Sequence, residues 1–145
     1  MKLKYSLLSV AAAAALLCAP VVHAKPFKWA SQGEIATWDI HSQNNALQNG
    51  IHANVYESLV YYNSKTFDVE PVLATAWKEI SPTQVRFTLR QGVKFHDGSA
   101  FTADDAVYSL QRAMAKTSNF TPYIQGISKI NKVDAQTIDV ILTAP

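Results

Sequence analysis

A mixed fold of the α/β or α+β kind is expected for this 145-residue chain. Three patterns predict it. Val85, Phe87 and Leu89 alternate with Arg86, Thr88 and Arg90, the period of a half-buried strand. Ala103, Ala106, Val107, Leu110, Ala113 and Met114 fall on one helical stripe. Ile138, Val140 and Leu142 alternate with Thr137, Asp139 and Ile141 in a further strand. Helices and strands in this order bury one another's apolar faces in a layered domain.

The N-terminus carries an export pattern. Lys2 and Lys4 precede a run from Leu7 to Ala19 that is apolar apart from Ser9. Such a run has the length of a signal-peptide core and is short for a bilayer span. Pro20 breaks it, and Val22-His23-Ala24 places modest side chains before a cleavage point after Ala24. Cys18 raises lipidation as an alternative, but Leu16 and Leu17 stand where a lipid-attachment motif wants small residues. Removing residues 1–24 takes Lys2 and Lys4 away, so 11 basic residues face 11 acidic ones in a formally neutral chain. No basic run remains, so a nucleic-acid partner is not expected. Cys18 is the only cysteine, so no disulfide, thiolate nucleophile or cysteine metal site is expected in the exported form. The 121 residues left suffice for one ordinary domain, held by its core alone.

Taken in order, Phe27 to Ala30 is apolar enough for a first strand, and Ser31 to Glu34 reads as a loop. Ala46, Leu47, Ile51, Val55 and Leu59 recur at helical spacing, predicting a helix over Asn45–Leu59 capped by Asn44 or Asn45. Val60-Tyr61-Tyr62 leads into a turn at Asn63-Ser64-Lys65. Trp77 to Ile80, a turn at Ser81-Pro82-Thr83 and the alternating run at Val85–Leu89 make a β-hairpin, with Val93 and Phe95 extending its pattern beyond Gly92. His96-Asp97-Gly98-Ser99 is a tight turn. Thr102 is a good N-cap, with Asp104 and Asp105 in the first turn of the helix facing its dipole. The last strand, over Thr137–Leu142, is followed by no cap or further element before Pro145, so the sequence is expected to be interrupted.

The stretch from Phe87 through Arg90, Gly92, Phe95, Asp97 and Gly98, followed by Thr102-Ala103-Asp104-Asp105-Ala106-Val107, resembles the family 5 extracellular solute-binding proteins, which serve peptide and nickel ABC importers. Pro71 to Trp77 is similar to that family's segment ending in tryptophan, and Tyr56-Glu57-Ser58-Leu59-Val60 to its helix-to-strand transition. In the residues' own terms Trp77, Phe87, Leu89, Arg90, Phe95, Asp97, Gly98, Ala103 and Asp105 are structural: Phe87 and Phe95 fill core positions, and Gly92 and Gly98 relieve turn strain. Trp38-Asp39-Ile40 stands where the family often has Leu-Asp-Pro, so the fixed φ of proline is missing there. Ser81-Pro82-Thr83 replaces a turn that often carries Asp-Gly, and Ala106 replaces a valine.

The resemblance implies a two-lobed periplasmic binding protein of type II with an accessory lobe, of which this chain is the incomplete N-terminal part. Residues 25–44 would begin the first ligand-binding lobe and residues 45–145 would belong to the accessory lobe. It also implies a periplasmic receptor that captures a peptide or similar small solute by hinge closure and docks on ABC permease subunits as a monomer, without ATP, cofactor, metal or catalysis of its own. A truncated, non-functional form and a secreted hydrolase are the alternatives.

The resemblance places the cleft edge at Asn44, Asn45 and Ala46, with the loop at Ser31, Gln32 and Gly33 as a further candidate. Amides and backbone groups pair with an extended peptide without demanding one side-chain sequence. The plainer reading is that Asn44 and Asn45 cap a helix. His96-Asp97 is read as a turn rather than a catalytic or metal pair, and His41 and His52 lack metal-ligand spacing. Asp104 and Asp105 do not face each other on a helix, so they are not a carboxylate pair. Tyr61, Tyr62 and the three tryptophans are read as core or lobe packing.

Overall fold

The computed structural model describes residues 25–145, and the chain divides into two compact units, Met1–Gln32 and Gly33–Pro145. The expected signal peptide and Cys18 lie outside the described residues. In the first unit, residues 25–32 form neither helix nor strand. The strand expected at Phe27–Ala30 is therefore absent: an extended segment becomes a strand only by pairing, and this one has no ladder partner among the described residues. Phe27 is 88% exposed.

The second unit opens with a loop and then α1 (Ala46–His52). That helix is half the expected length. The Asn54 side-chain amide donates to Gly50 O at 2.9 Å, meeting a carbonyl freed at the C-terminus, and the chain leaves through irregular turns. Two short strands follow, β1 (Val60–Tyr62) and β2 (Val69–Pro71), paired antiparallel across a turn that the Asn63 side chain ties by accepting from Lys65 N at 3.0 Å. β2 carries too few residues, one of them proline, to give a sequence signal.

The main sheet has four antiparallel strands in the order β3-β4-β6-β5. β3 (Ala74–Ser81) and β4 (Gln84–Leu89) form the expected hairpin, with Trp77 opposite Phe87 and the turn at Pro82-Thr83. β5 (Ile127–Asp134) was not expected. Its apolar residues Ile127, Ile130 and Val133 recur every third position, and two register shifts against β6 (Thr137–Leu142) break the alternation that would have revealed it. Val93 and Phe95 do not extend the hairpin; the Lys94–Ala100 bridge closes a separate turn, in which Gly98 takes a φ of 87°.

One helix, α2 (Ala103–Ala113), covers one face of this sheet. The Asp105 carboxylate accepts the Thr102 backbone N–H and hydroxyl, both at 2.8 Å, fixing the start of the helix. Leu89, Ala103, Ala106 and Ile138 make the core, flanked by Leu59, Phe87, Phe101, Val107 and Leu110. Small alanines let the helix approach closely. Phe87 thus packs as expected, but Phe95 does not: it is 45% exposed, meeting only the edge of Phe101 among the aromatic rings. Tyr61, Tyr62, Trp29, Trp38 and Trp77 are exposed rather than core, although Tyr62, Trp38 and Trp77 each lie against one neighbouring ring. β6 is flanked on both sides, and its Asp139 is buried. Its carboxylate accepts from Arg86 Nε at 2.7 Å and Gln84 Nε2 at 2.8 Å, and the Arg86 bond holds it below the usual carboxylate range.

Ile138 has no exposed surface and sits beneath α2. Ile138→Ala is expected to cost about 2–5 kcal/mol by lost transfer and cavity terms, read from denaturant midpoints. Tyr108→Ala, on the exposed side of α2, is expected to stay within about 0.5 kcal/mol. Equal effects of the two would contradict this placement of the core.

Candidate functional site

The loop before α1 has no ladder of its own, so its polar backbone groups are met by side chains. Gln48 and His52 lie one turn apart on α1 and are 1% and 2% exposed. Gln48 Nε2 donates to Thr37 O at 3.1 Å, while its Oε1 accepts from Ala36 N at 3.4 Å. His52 Nε2 meets the same carbonyl at 3.1 Å. A carbonyl only accepts, so Nε2 carries the proton and Nδ1 is left as an acceptor with no partner among the described residues. Trp38 stacks on the His52 ring, and Tyr56 Oη donates to Trp38 O at 2.7 Å.

The next turn is held from α2. Asp39 Oδ1 accepts from Arg112 Nη1 at 2.6 Å, and its other oxygen accepts from Nη2. The same Oδ1 accepts the His41 N–H at 3.0 Å, and Asp39 O accepts from the Ser42 N–H and hydroxyl. The Arg112 bond above all, with the His41 N–H, lowers the Asp39 pKa to about 2. Arg112 Nη1 also lies 3.1 Å from His41 Nδ1, which accepts because the guanidinium can only donate. Burial first, and the Arg112 charge second, push the His41 pKa down. Beyond α2, Asn119 N donates to His41 O at 2.9 Å, and the Asn119 amide donates to Ser42 O.

This arrangement delivers the chain to Asn44, Asn45 and Ala46. Asn45 is the N-cap of α1, its side-chain oxygen accepting from Gln48 N at 2.9 Å. Asn44 Oδ1 accepts from Asn49 Nδ2 at 2.9 Å. The capping reading thus holds for Asn45 but not for Asn44, whose oxygen takes the Asn49 side-chain amide instead, while the two amide nitrogens have no partner among the described residues. Ala46 is exposed. Gly33 lies against the same helix: a Cβ there would come within 3.3 Å of Leu47 Cδ2. Ser31 and Gln32 fall in the other compact unit and are exposed.

Two shallow clefts open elsewhere on this unit. One, of about 250 Å³, is lined by Ile40, Asn49, His52, Tyr56, Glu57 and Phe120 among others. The other, of about 260 Å³, lies between Arg90–Lys94 and Ala100–Thr102. Neither is lined by Asn44, Asn45 or Ala46.

The signature residues form scaffold. Leu89 and Ala103 are core; Trp77 lies beside Phe87 with ring centroids 6.4 Å apart. Arg90 donates to Glu57 at 2.9 Å. Asp97 accepts the Ser99 hydroxyl at 2.6 Å and its N–H at 2.9 Å, which lowers its pKa and closes the turn that Gly98 permits. Asp104 meets Lys132 at 2.6 Å while Asp105 caps α2, so the adjacent carboxylates point to different tasks. Sequence reasoning missed Arg112, Gln48 and His52. Only Asn45, a capping residue before an apolar run, carried a local signal.

Residues 68–145 match the bacterial extracellular solute-binding proteins, family 5 middle region. The HTH-type transcriptional regulator SgrR of Escherichia coli K12 is 35% identical over 95 residues, and that of Salmonella typhimurium LT2 is 34% identical over 95. Each alignment takes in 66% of this chain and 16% of the relative, so the chain spans about one sixth of the curated relatives it matches. Among solved structures, the murein tripeptide binding protein MppA of Escherichia coli superposes with a TM-score of 0.68 at 29% identity, covering 76% of this chain and 25% of that one. MoaA from A. tumefaciens R10, solved with mannopinic acid, gives a TM-score of 0.68 at 31% identity, covering 74% and 23%.

The His41 environment gives a pH dependence. Its folded pKa lies below the unfolded value near 6.5, so its stabilising contribution is complete above that value and is lost as pH falls through the folded one. The carboxylates of Asp39, Asp97, Asp134 and Asp139 are all lowered and so titrate beneath this window. Between pH 7 and 5 the melting temperature is expected to fall more steeply in the native protein than in His41→Asn. Parallel slopes would show that His41 is not held neutral by burial and Arg112.

Proposed function

The chain belongs to the family 5 bacterial extracellular solute-binding proteins, and on that premise we propose that it is the solute-binding component of an ABC importer. In this reading it captures a peptide or similar small solute in the periplasm and delivers it to membrane permease subunits. The observation that carries the reading is the family match over residues 68–145, supported by a common fold with solute-binding proteins about three times its length. Residues 1–24 serve as its signal peptide. Residues 25–44 begin a ligand-binding lobe and residues 45–145 belong to an accessory lobe. The receptor acts as a monomer, closes on its solute and performs no chemistry on it.

Peptide is the favoured cargo. Asn44 and Asn45 each present an amide N–H₂ beside the exposed start of α1, and such donors suit the carbonyls of an extended main chain. Gly33, which lies against the same helix, supplies a further backbone group. Neighbouring structures widen the range, one being a murein tripeptide binding protein and another holding mannopinic acid. Water between solute and protein keeps such a site tolerant of side-chain variety.

Tri-alanine is the probe. Titration calorimetry on the purified protein is expected to show one-to-one binding, with the tripeptide recovered intact. Recovery of free alanine would replace the receptor by a hydrolase, and absence of heat would remove the tripeptide reading. Asn45→Asp keeps the capping oxygen while removing the amide donor, and Asn44→Asp keeps the oxygen that Asn49 donates to while removing its own amide donor. The pair is expected to weaken tri-alanine roughly tenfold at unchanged melting temperature. Unchanged affinity would take both side chains out of the site.

A further inference from the structure

We propose that Arg112 is a positioning residue for the solute edge at Asn44–Ala46, setting that edge through Asp39 without touching solute. The inference rests on the reading of Asn44–Ala46 given above.

Arg112 stands in the last turn of α2, and its two terminal nitrogens both reach the Asp39 carboxylate. A planar fork meeting a carboxylate this way fixes the orientation of the carboxylate as well as its place, which a lysine ammonium does not. Asp39 in turn organises its own turn. Its side chain accepts the His41 N–H, and its carbonyl accepts from Ser42 twice. Fixing the carboxylate therefore fixes residues 39–42. Asn119 takes the His41 and Ser42 carbonyls from the far side, so the turn is held from within by Asp39 and from outside by Arg112 and Asn119. Two residues later the chain reaches Asn44.

The helix that carries Arg112 is itself immobilised. Ala103, Ala106 and Ala113 are buried along it, and it packs against β5 and β6 of the sheet. The sheet thus fixes α2, α2 fixes Arg112, and Arg112 fixes the turn that presents the solute edge. An exposed ion pair of no positional consequence would lack these features: it would make one bond, and its acidic partner would not hold its own backbone.

The test is peptide-resolved hydrogen exchange on the purified full chain. Arg112→Lys keeps the charge and loses the fork. Exchange over residues 39–48 is expected to rise roughly tenfold while β4 and β6 stay as in the native protein. Lys132→Gln breaks an exposed ion pair on the same helix and is expected to leave residues 39–48 unchanged. Unaltered exchange in Arg112→Lys, a rise spread evenly over the sheet, or an equal rise in Lys132→Gln would each overturn the proposal. With tri-alanine as the probe, Arg112→Lys is expected to weaken binding roughly tenfold at unchanged melting temperature. Looser residues 39–48 with undiminished binding would also overturn it. If the native protein does not bind tri-alanine, the tripeptide reading fails on its own, and the exchange result alone decides whether Arg112 sets this segment.

Discussion

The Asp39 carboxylate and the Arg112 guanidinium meet across 73 residues of sequence, and the whole loop ahead of α1 is organised around that meeting. The loop has no ladder to satisfy its backbone. It must find hydrogen-bond partners one by one, and they come from two helices. Gln48 and His52 of α1 share the Thr37 carbonyl, and α2 contributes Arg112 and, from the turn after it, Asn119. A surface ion pair alone is worth little. This one matters because Asp39 also binds its own backbone, so one carboxylate couples two distant parts of the chain. The coupling is polar and directional, whereas the sheet and α2 are joined chiefly by apolar burial.

The parts of the fold that were legible are those whose signal is local. The hairpin at β3 and β4 announces itself by alternation, and α2 by its alanine stripe and its Thr102–Asp105 cap. The turn at Asp97-Gly98 follows from two residues. What was illegible depends on partners distant in sequence. β5 hides its alternation behind two register shifts, and Phe27–Ala30 has strand-like residues with no strand to pair with among the described residues. The apolar spacing from Ala46 to Leu59 correctly marks a helix but overstates it, since the side chain of Asn54 closes α1 early. At the candidate site only Asn45 could be read in advance. Arg112 looks like an ordinary charge near a helix C-terminus, and nothing near it in sequence points to Asp39. Gln48 and His52 look like the polar side of an amphipathic helix, yet they face inward because the loop's carbonyl must be met.

This division bears on function. The residues that identify the family build the frame: Leu89 and Ala103 fill its core, Asp105 starts its helix, and Asp97 and Gly98 close a turn. None of them lies at Asn44–Ala46. A common scaffold can therefore serve proteins with different solutes, one a murein tripeptide binding protein and another solved with mannopinic acid, because binding residues tend to sit on loops placed by the scaffold. In this chain the departure at Trp38-Asp39-Ile40 removes the rigidity of a proline at the start of that loop. The Arg112 fork and the Asn119 amide supply rigidity to the same turn from outside.

Native mass spectrometry of the protein purified from the periplasmic fraction of its own cells tests the receptor reading most directly. The account predicts a population carrying a small solute, held without a covalent bond and released unaltered on denaturation. Protein that never carries a solute, or that returns it cleaved, would contradict the account.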